Sequence, residues 1–367
     1  MMTTQDTLWT VDALRHAGAA IVAAAGSSAE EAKAVADNLV MANLKGHDSH
    51  GIGMLPRYID AVLEGGLQPN TGVAVQLDTG TMLTLDGQRG YGQVIGKQAM
   101  HMGIERAQTH GSCILTVGQS HHLGRIGHWA EMAVDAGLVA LHFVNVLAPP
   151  VVAAWGGADG RFGTNPICIG LPLRGRDPFI LDFATSRVAQ GKMRVAYSEG
   201  RQVPLGYLID PQGNPTTEPG VVVVPQTPGP LGNVLGALMT FGEHKGFGLA
   251  VAAELLGGAL TGGGTWNAER VAKRAVYNGM LTILIDPKKL GSTVDFDRDA
   301  DQFMSWLKAS PTAPDTEQLL TAGDPERHTH ALRSSVGIKV DPFTMSELDR
   351  VAAAVGITQW SAQTAHA

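Results

Sequence analysis

Hydrophobic residues recur every three to four positions over residues 11–25, a spacing that predicts an amphipathic helix. Ser28 and Glu31 have the spacing of a capping box that opens a second helix. Val35, Leu39 and Ala42 share one of its faces, and Gly46 stands as terminator. Pro56 suits the first turn of a third helix with an apolar stripe of Leu55, Ile59 and Val62, ended by Gly65 and Gly66. From Val73 the period drops to two. Val73, Val75 and Leu77 alternate, as do residues 82–85, which predicts a hairpin turning at Thr79 and Gly80. A long helix is expected over 93–109, with Val94, Met102 and Ile104 among its apolar residues and Gly111 as its stop. Strand, helix and strand signals follow at 113–117, 128–136 and 138–146. Further strands are expected at 167–173 and 179–183, a helix over 187–197, a loop rich in Pro, Gly and Thr over 204–230, a helix over 244–260 and a buried strand over 280–285. Amphipathic segments at 300–308, 326–336 and 346–355 precede a polar tail. The alternation of elements is that of an α/β chain. Its clearest boundary is the change from helix to strand near Pro69, and the three short helices before it need another surface to pack on.

Composition narrows the functional classes. The chain has 367 residues, 44% hydrophobic and 17% charged, enough for one large or two ordinary domains with their own cores. A net charge of −7 argues against a broad nucleic-acid or anionic-membrane surface, which needs clustered Lys and Arg. Any phosphate site must therefore be local. The only two cysteines, Cys113 and Cys168, lie in short apolar runs without metal-type spacing, so they read as buried thiols of a reducing cytoplasm. The N-terminal stretch lacks the pattern of a secretory signal, and no apolar run is long enough to span a bilayer.

Candidate chemistry concentrates in a few strings. HDSHGIGMLPRY, His47 to Tyr58, places His47, Asp48, Ser49, His50 and Arg57 at a helix break. Reduction of a 2-oxo acid needs a proton donor at the carbonyl oxygen, a role for which the near-neutral pKa of a histidine such as His50 is suited. It also needs a cation for the carboxylate, and Arg57 can grip one with two prongs. The plainer role is that Asp48 or Ser49 caps the next helix. A second cluster sets Ser120, His121, His122 and Arg125 after the strand expected to end at Val117. The histidines could also supply metal ligands, yet no HExxH spacing occurs, so a catalytic metal is not expected. Gly90, Gly92 and Gly96 are spaced one residue too widely for the dinucleotide fingerprint, and no ordinary Rossmann loop is evident. GRFGTNP ends a loop of small and polar residues, LDFATS ends a strand in an Asp and two hydroxyls, and GEHKGFG sets Lys245 at a helix start where a phosphate could bind.

Taken in order, HDSHGIGMLPRY, SHHLGRIGHW, GRFGTNP, LDFATS, HKGFGLA and GDPERH resemble the type-2 malate/L-lactate dehydrogenase family over nearly the whole chain, with wording most similar to the hydroxycarboxylate dehydrogenase B branch. The resemblance implies an α/β fold with a non-Rossmann NAD(P)-binding domain built on a largely antiparallel central sheet. A helical domain would come from the N-terminal and part of the C-terminal segment. The implied division is 1–70 packed with 340–367, and 71–339 as the cofactor- and substrate-binding domain, in a cytoplasmic homodimer. It also implies interconversion of small 2-oxo and 2-hydroxy acids with NAD or NADP, with cyclic imino-acid reduction as a family alternative and metal-dependent hydrolysis as a rival of another class. By similarity His50 is proton donor or nicotinamide contact and His122 a second acid/base histidine; Ser49 and Arg57 join them as orienting and carboxylate-holding residues. Gly124, Arg125 and Ile126, then Leu181, Asp182, Phe183, Ala184 and Thr185, then His244 with Lys245, and Gly323, Asp324, Pro325 and Glu326 fall on cofactor-contacting segments. Family members often read PGE where this chain has Ala322, Gly323 and Asp324, and the shorter Asp puts a ribose contact there in question.

Overall fold

A computed structural model describes residues 6–223, 236–267, 269, 275–291, 293–357 and 360. Its centre is a seven-stranded sheet in the order Ala74–Asp78, Met82–Asp86, Ser112–His121, Tyr277–Ile285, Val139–Leu147, Ile167–Leu171, Phe179–Phe183. Every neighbouring pair is antiparallel except Met82–Asp86 with Ser112–His121, so the sheet is mixed. The middle strand, Tyr277–Ile285, is the last of the seven in sequence, so the sheet is completed only when a distant segment inserts between two earlier strands. Its near-continuous apolar run, YNGMLTILI, fits a strand covered on both faces.

Helices Gly92–His110 and Gly127–Asp135 cover one face, burying Ile95, Ala99, Met100, Trp129 and Ala133 against Leu115, Val144 and Met280. The opposite face carries the helix His244–Ala253, which continues as a π-helical turn, Glu254–Ala259. Here backbone meets backbone: a Cβ on Gly279 would collide with the Gly257 carbonyl oxygen, and one on Gly257 would stand 2.5 Å from the Asn145 nitrogen. Only glycine permits that approach.

A second core joins helices Val11–Ala24, Ala29–Leu44 and Leu55–Leu63 to Ile338, Val340, Leu348 and Val351 near the other chain end. Strand Thr7–Trp9 pairs with Ile338–Val340, and Trp9 stacks on Trp360. A third core lies under a five-stranded sheet and includes Met193 and Ala196 of helix Gln190–Ser198. No helix among the described residues is long and apolar enough to cross a membrane.

The fold corrects several expectations. Ser28 accepts from the Glu31 N–H, but the Glu31 carboxylate does not return to Ser28. It accepts from the Asn70 N–H at 2.8 Å, while the Asn70 side chain takes the Ser28 N–H at 2.7 Å. The strand expected to end at Val117 runs on to His121, with a register shift opposite Asn278 and Met280. In the long helix the buried stripe is Ile95, Ala99, Met100 and Ala107; Val94, Met102 and Ile104 lie at its margin. Gly92 and Gly96 of GYGQVIG serve close packing, for a Cβ on Gly92 would run into the His122 carbonyl and one on Gly96 would meet the Trp129 indole at 2.5 Å. The segment expected to be loop over 204–230 contains the short strands Leu208–Ile209 and Pro215–Thr216, and its part from 224 lies outside the described residues.

Candidate active site

The His47–Tyr58 stretch is held by the helix before it. Gly46, at φ +82°, turns the chain out of helix Ala29–Leu44. Asn43 then clamps the break, donating to Asp48 Oδ1 at 2.7 Å and accepting from the Ile52 N–H at 2.7 Å; Gly51 leaves the space this side chain needs. Arg333, from helix Asp324–Val336, closes on the Asn43 carbonyl at 2.6 Å and on Asp48 at 2.7 Å. Neither Asp48 nor Ser49 caps the following helix: the first is engaged by Arg333, and the Ser49 hydroxyl lies 2.9 Å from His50 Nδ1. Gly191, in the first turn of helix Gln190–Ser198, rests on Ser49 so closely that a Cβ there would be 2.8 Å away.

This scaffold delivers His50 to the end of strand Ser112–His121. The His50 and His122 rings stack, with centroids 5.6 Å apart and planes 24° from parallel. His122 Nδ1 lies 2.6 Å from the buried Tyr58 hydroxyl, which takes a hydrogen bond from the Gln93 amide at 3.1 Å. Burial, with His47 and Arg125 nearby, lowers the His50 pKa to about 4. Burial, then His50, His121 and Arg57, hold His122 well below its ordinary value. His121 is fully buried, brought down to about 3 by burial and Arg57, and among the described residues neither of its ring nitrogens has a partner. Arg57 is half-buried and disfavours protonation of both neighbouring imidazoles. Among the described residues it has no hydrogen-bond or ion-pair partner, and burial and Arg194 both act against its charge. The structure thus brings together Ser49, His50, Arg57 and His122.

Three of the four segments implied for the cofactor contribute to a cavity of about 350 Å³ lined by Arg125, Asp182, Gly323 and Glu326 together with Lys45 and Glu131, and the fourth, His244 with Lys245, does not line it; the size suits a small-molecule site. Arg125 is buried and pairs with Glu131 at 2.5 Å, and Lys45 reaches the same carboxylate at 2.6 Å. Burial raises the Asp182 carboxyl, with Arg125 and the Gly127 N–H, 2.7 Å away, pulling the other way. Glu326 accepts from His47 at 3.1 Å, which ties this cavity to the His50 turn. Gly124 turns the chain at φ +73°, and Ile126 points into the core. Leu181 and Ala184 are half-buried beside Asp182, and Phe183 meets Phe241 edge-on, 5.5 Å between centroids. His244 and Lys245 follow Phe241 at an exposed helix start. The Thr185 hydroxyl is turned inward, donating to the carbonyls of Thr164 and Asn165 at 3.0 and 2.9 Å. Pro325 is an exposed first-turn residue. The Asp324 carboxylate is already occupied: Thr321, Lys308 and Arg327 all donate to it, so burial, which would raise its pKa, is outweighed and the group stays ionised. Among the described residues no group of three or more His, Cys, Asp or Glu side chains is placed to hold a metal.

Tyr58, Gln93, Arg194 and the Lys45–Glu131 pair were not legible as site residues. Tyr58 stood in the quoted string without a role, and Gln93 sits in the glycine string that reads as a helix start.

Stacked imidazoles thus stand beside a guanidinium with no partner among the described residues, next to a charge-lined cavity on an α/β scaffold. The chain belongs to the malate/L-lactate dehydrogenase family, a family of oxidoreductases, whose model matches residues 9–349. Hydroxycarboxylate dehydrogenase B of Escherichia coli (strain K12) is 44% identical over 340 residues, covering 92% of this chain and 91% of its own length. A solved E. coli structure of the malate/lactate dehydrogenase class superimposes with a TM-score of 0.91 at 42% identity over 97% of each chain. The delta1-piperideine-2-carboxylate reductase of Pseudomonas syringae does so with 0.80 at 29% identity, over 94% of this chain and 99% of its own.

Proposed function

We propose that the protein interconverts a small 2-hydroxy acid and the matching 2-oxo acid with NAD or NADP as hydride carrier. The observation that carries this reading is the stacked His50 and His122 pair beside Arg57, a guanidinium with no carboxylate partner among the described residues. A substrate carboxylate supplies that partner, held by charge-assisted hydrogen bonds. His50, neutral at ordinary pH, takes the hydroxyl proton in the oxidation direction, and Ser49 orients its ring. His122 polarises the same oxygen or takes the place of His50 as the proton carrier. A bound nicotinamide would supply the hydride acceptor or donor for the neighbouring carbon.

Arg125, Asp182, Gly323 and Glu326 would hold the dinucleotide around the cavity, and Leu181, Phe183, Ala184, His244 and Lys245 would add contacts to it. Thr185, Ile126 and Asp324 would contribute through backbone position, since their side chains are committed elsewhere. We assign residues 1–70 with 340–367 to a helical domain and 71–339 to the cofactor- and substrate-binding domain. Residues 361–367 lie outside the described part. The exposed apolar side chains Leu255 and Leu260 fit burial by a second copy in a homodimer, which light scattering would read. Two unpaired, buried cysteines fit a cytoplasmic setting.

The test is an absorbance screen of nicotinamide oxidation, crossing both nucleotides with glyoxylate, pyruvate, hydroxypyruvate, aryl pyruvates, oxaloacetate and a cyclic imine. Turnover of 2-oxo acids, indifferent to EDTA, is the expected result. Turnover of the imine alone would favour the second reading, imino-acid reduction, which the Pseudomonas reductase's likeness supports. Chelator-sensitive hydrolysis without nicotinamide turnover would replace both.

A further inference from the structure

The proposed function leaves two histidines with interchangeable parts, and the hydrogen-bond chain behind one of them separates the roles. Gln93 Nε2 lies 3.4 Å from the backbone carbonyl of His122 and 3.1 Å from the Tyr58 oxygen. A carbonyl can only accept, so the amide must present its NH₂ there, and the same NH₂ donates to Tyr58. The Tyr58 oxygen is thereby used as an acceptor. Its own O–H is fully buried and needs an acceptor in turn, and the atom within reach is His122 Nδ1, 2.6 Å away. Burial pushes the Tyr58 phenol far up, so it keeps its proton. A ring nitrogen that accepts carries no hydrogen, and a neutral imidazole must then carry it on the other nitrogen.

We infer that Tyr58, oriented by Gln93, is a positioning residue that locks His122 as the neutral Nε2–H tautomer, making it a fixed hydrogen-bond donor to the substrate oxygen and leaving His50 as the group that exchanges the proton. The inference rests on the proposed hydride-transfer reading for its consequence, although the tautomer itself does not. Surrender of the Nε2 proton would leave His122 an imidazolate. Beside Arg57, His50 and His121, with Tyr58 donating from behind, the ring also has no carboxylate among the described residues to favour a second proton. His122 therefore stabilises the developing oxyanion without being consumed as an acid. His50 differs: its Nδ1 faces the Ser49 hydroxyl, which can either donate or accept, so its ring can change protonation state without breaking that contact.

Neutron crystallography of the deuterium-exchanged wild-type enzyme at neutral pH reads the proton directly. A deuteron on His122 Nε2, with the Tyr58 O–D aimed at Nδ1, is expected. A deuteron on Nδ1, or on both ring nitrogens, overturns the assignment whatever the enzyme's activity. Gln93→Glu puts an acceptor where the donor was, so the Tyr58 O–D should turn to the introduced carboxylate and the deuteron move to His122 Nδ1. Loss of one oxyanion donor should then lower kcat about 10²-fold with KM nearly unchanged. Tyr58→Phe keeps the ring against Tyr91 and His121 and removes only the hydroxyl; kcat should fall about twofold as both tautomers become populated. Unchanged kcat in both folded variants would remove Tyr58 from the catalytic arrangement. A wild-type enzyme with the expected deuterons but no nicotinamide turnover on any acid or imine would sink the functional reading and leave the tautomer standing.

Discussion

Two regions on either side of His47 solve the same problem, polar groups out of water, in opposite ways. Around His50, His121 and His122 the described residues offer no carboxylate partner for the imidazoles, and burial keeps each ring neutral. Around the cavity, Arg125, Lys45, Glu131, Asp182 and Glu326 stay in a linked network of charges. On the proposed function, the difference separates proton exchange from charge holding. A buried ring left neutral avoids the cost of an uncompensated charge, whereas a buried ion pair is stable only while both members remain charged. His47, bonded to Glu326 and three residues from His50, is the hinge between the two regions.

The comparison breaks most visibly at His50. His50→Ala should lower turnover by roughly 10²–10⁴-fold, as expected for a general acid or base, while nucleotide binding measured by calorimetry stays within a few-fold. Full turnover in this variant would remove His50 from the mechanism. Next in size is Arg125→Met, which leaves Glu131 with Lys45 alone and Asp182 without its guanidinium; breaking a buried pair costs about 3–5 kcal/mol, readable from a urea midpoint. A loss below ~1 kcal/mol would show that the cavity network is solvated. The wild-type protein itself supplies a third test. His121 and His142 are fully buried and held near pKa about 3, below the ordinary histidine value of 6.5. The unfolded chain therefore binds protons that the folded one refuses, so stability is constant above the unfolded value and falls as pH drops below it until the folded values are reached. Each such ring contributes a slope of about 1.4 kcal/mol per pH unit in that window. Urea midpoints that do not move between neutral and mildly acidic buffer would show the rings protonated in the fold. The smallest effect is expected for Arg57→Lys, which keeps the charge but loses the two-pronged grip: KM for the acid should rise about tenfold with kcat little changed.

Local pattern made the scaffold legible, and contacts between distant segments hid much of the centre. The helix starts at Ser28 and Pro56, the stops at Gly46 and Gly111 and the hairpin before Met82 follow from rules within a few residues. The ordered strings identified the family and pointed to His50 and His122. What they could not show was that Tyr58 and Gln93, 35 residues apart, meet behind His122, because nothing in a helical period announces a partner on another helix. The surroundings of Asp324 were hidden for a related reason. Its place in the GDPERH string suits a ligand contact, but Lys308, Thr321 and Arg327 converge on it only after folding. The extension of strand Ser112–His121 past Val117 was hidden too, because the polar string GQSH is carried there by pairing with Tyr277 and Asn278 rather than by its own alternation.

The glycine contact between residues 257 and 279 has a mechanical consequence. With no side chains as a cushion, the π-turn and the central strand interlock like a tooth in a notch, and sliding the helix by one residue would drive a carbonyl into the sheet backbone. The Lys245 end of that helix is thus anchored from its far terminus. The chain enters that end through Glu243, whose φ of +58° marks a backbone already off its relaxed course.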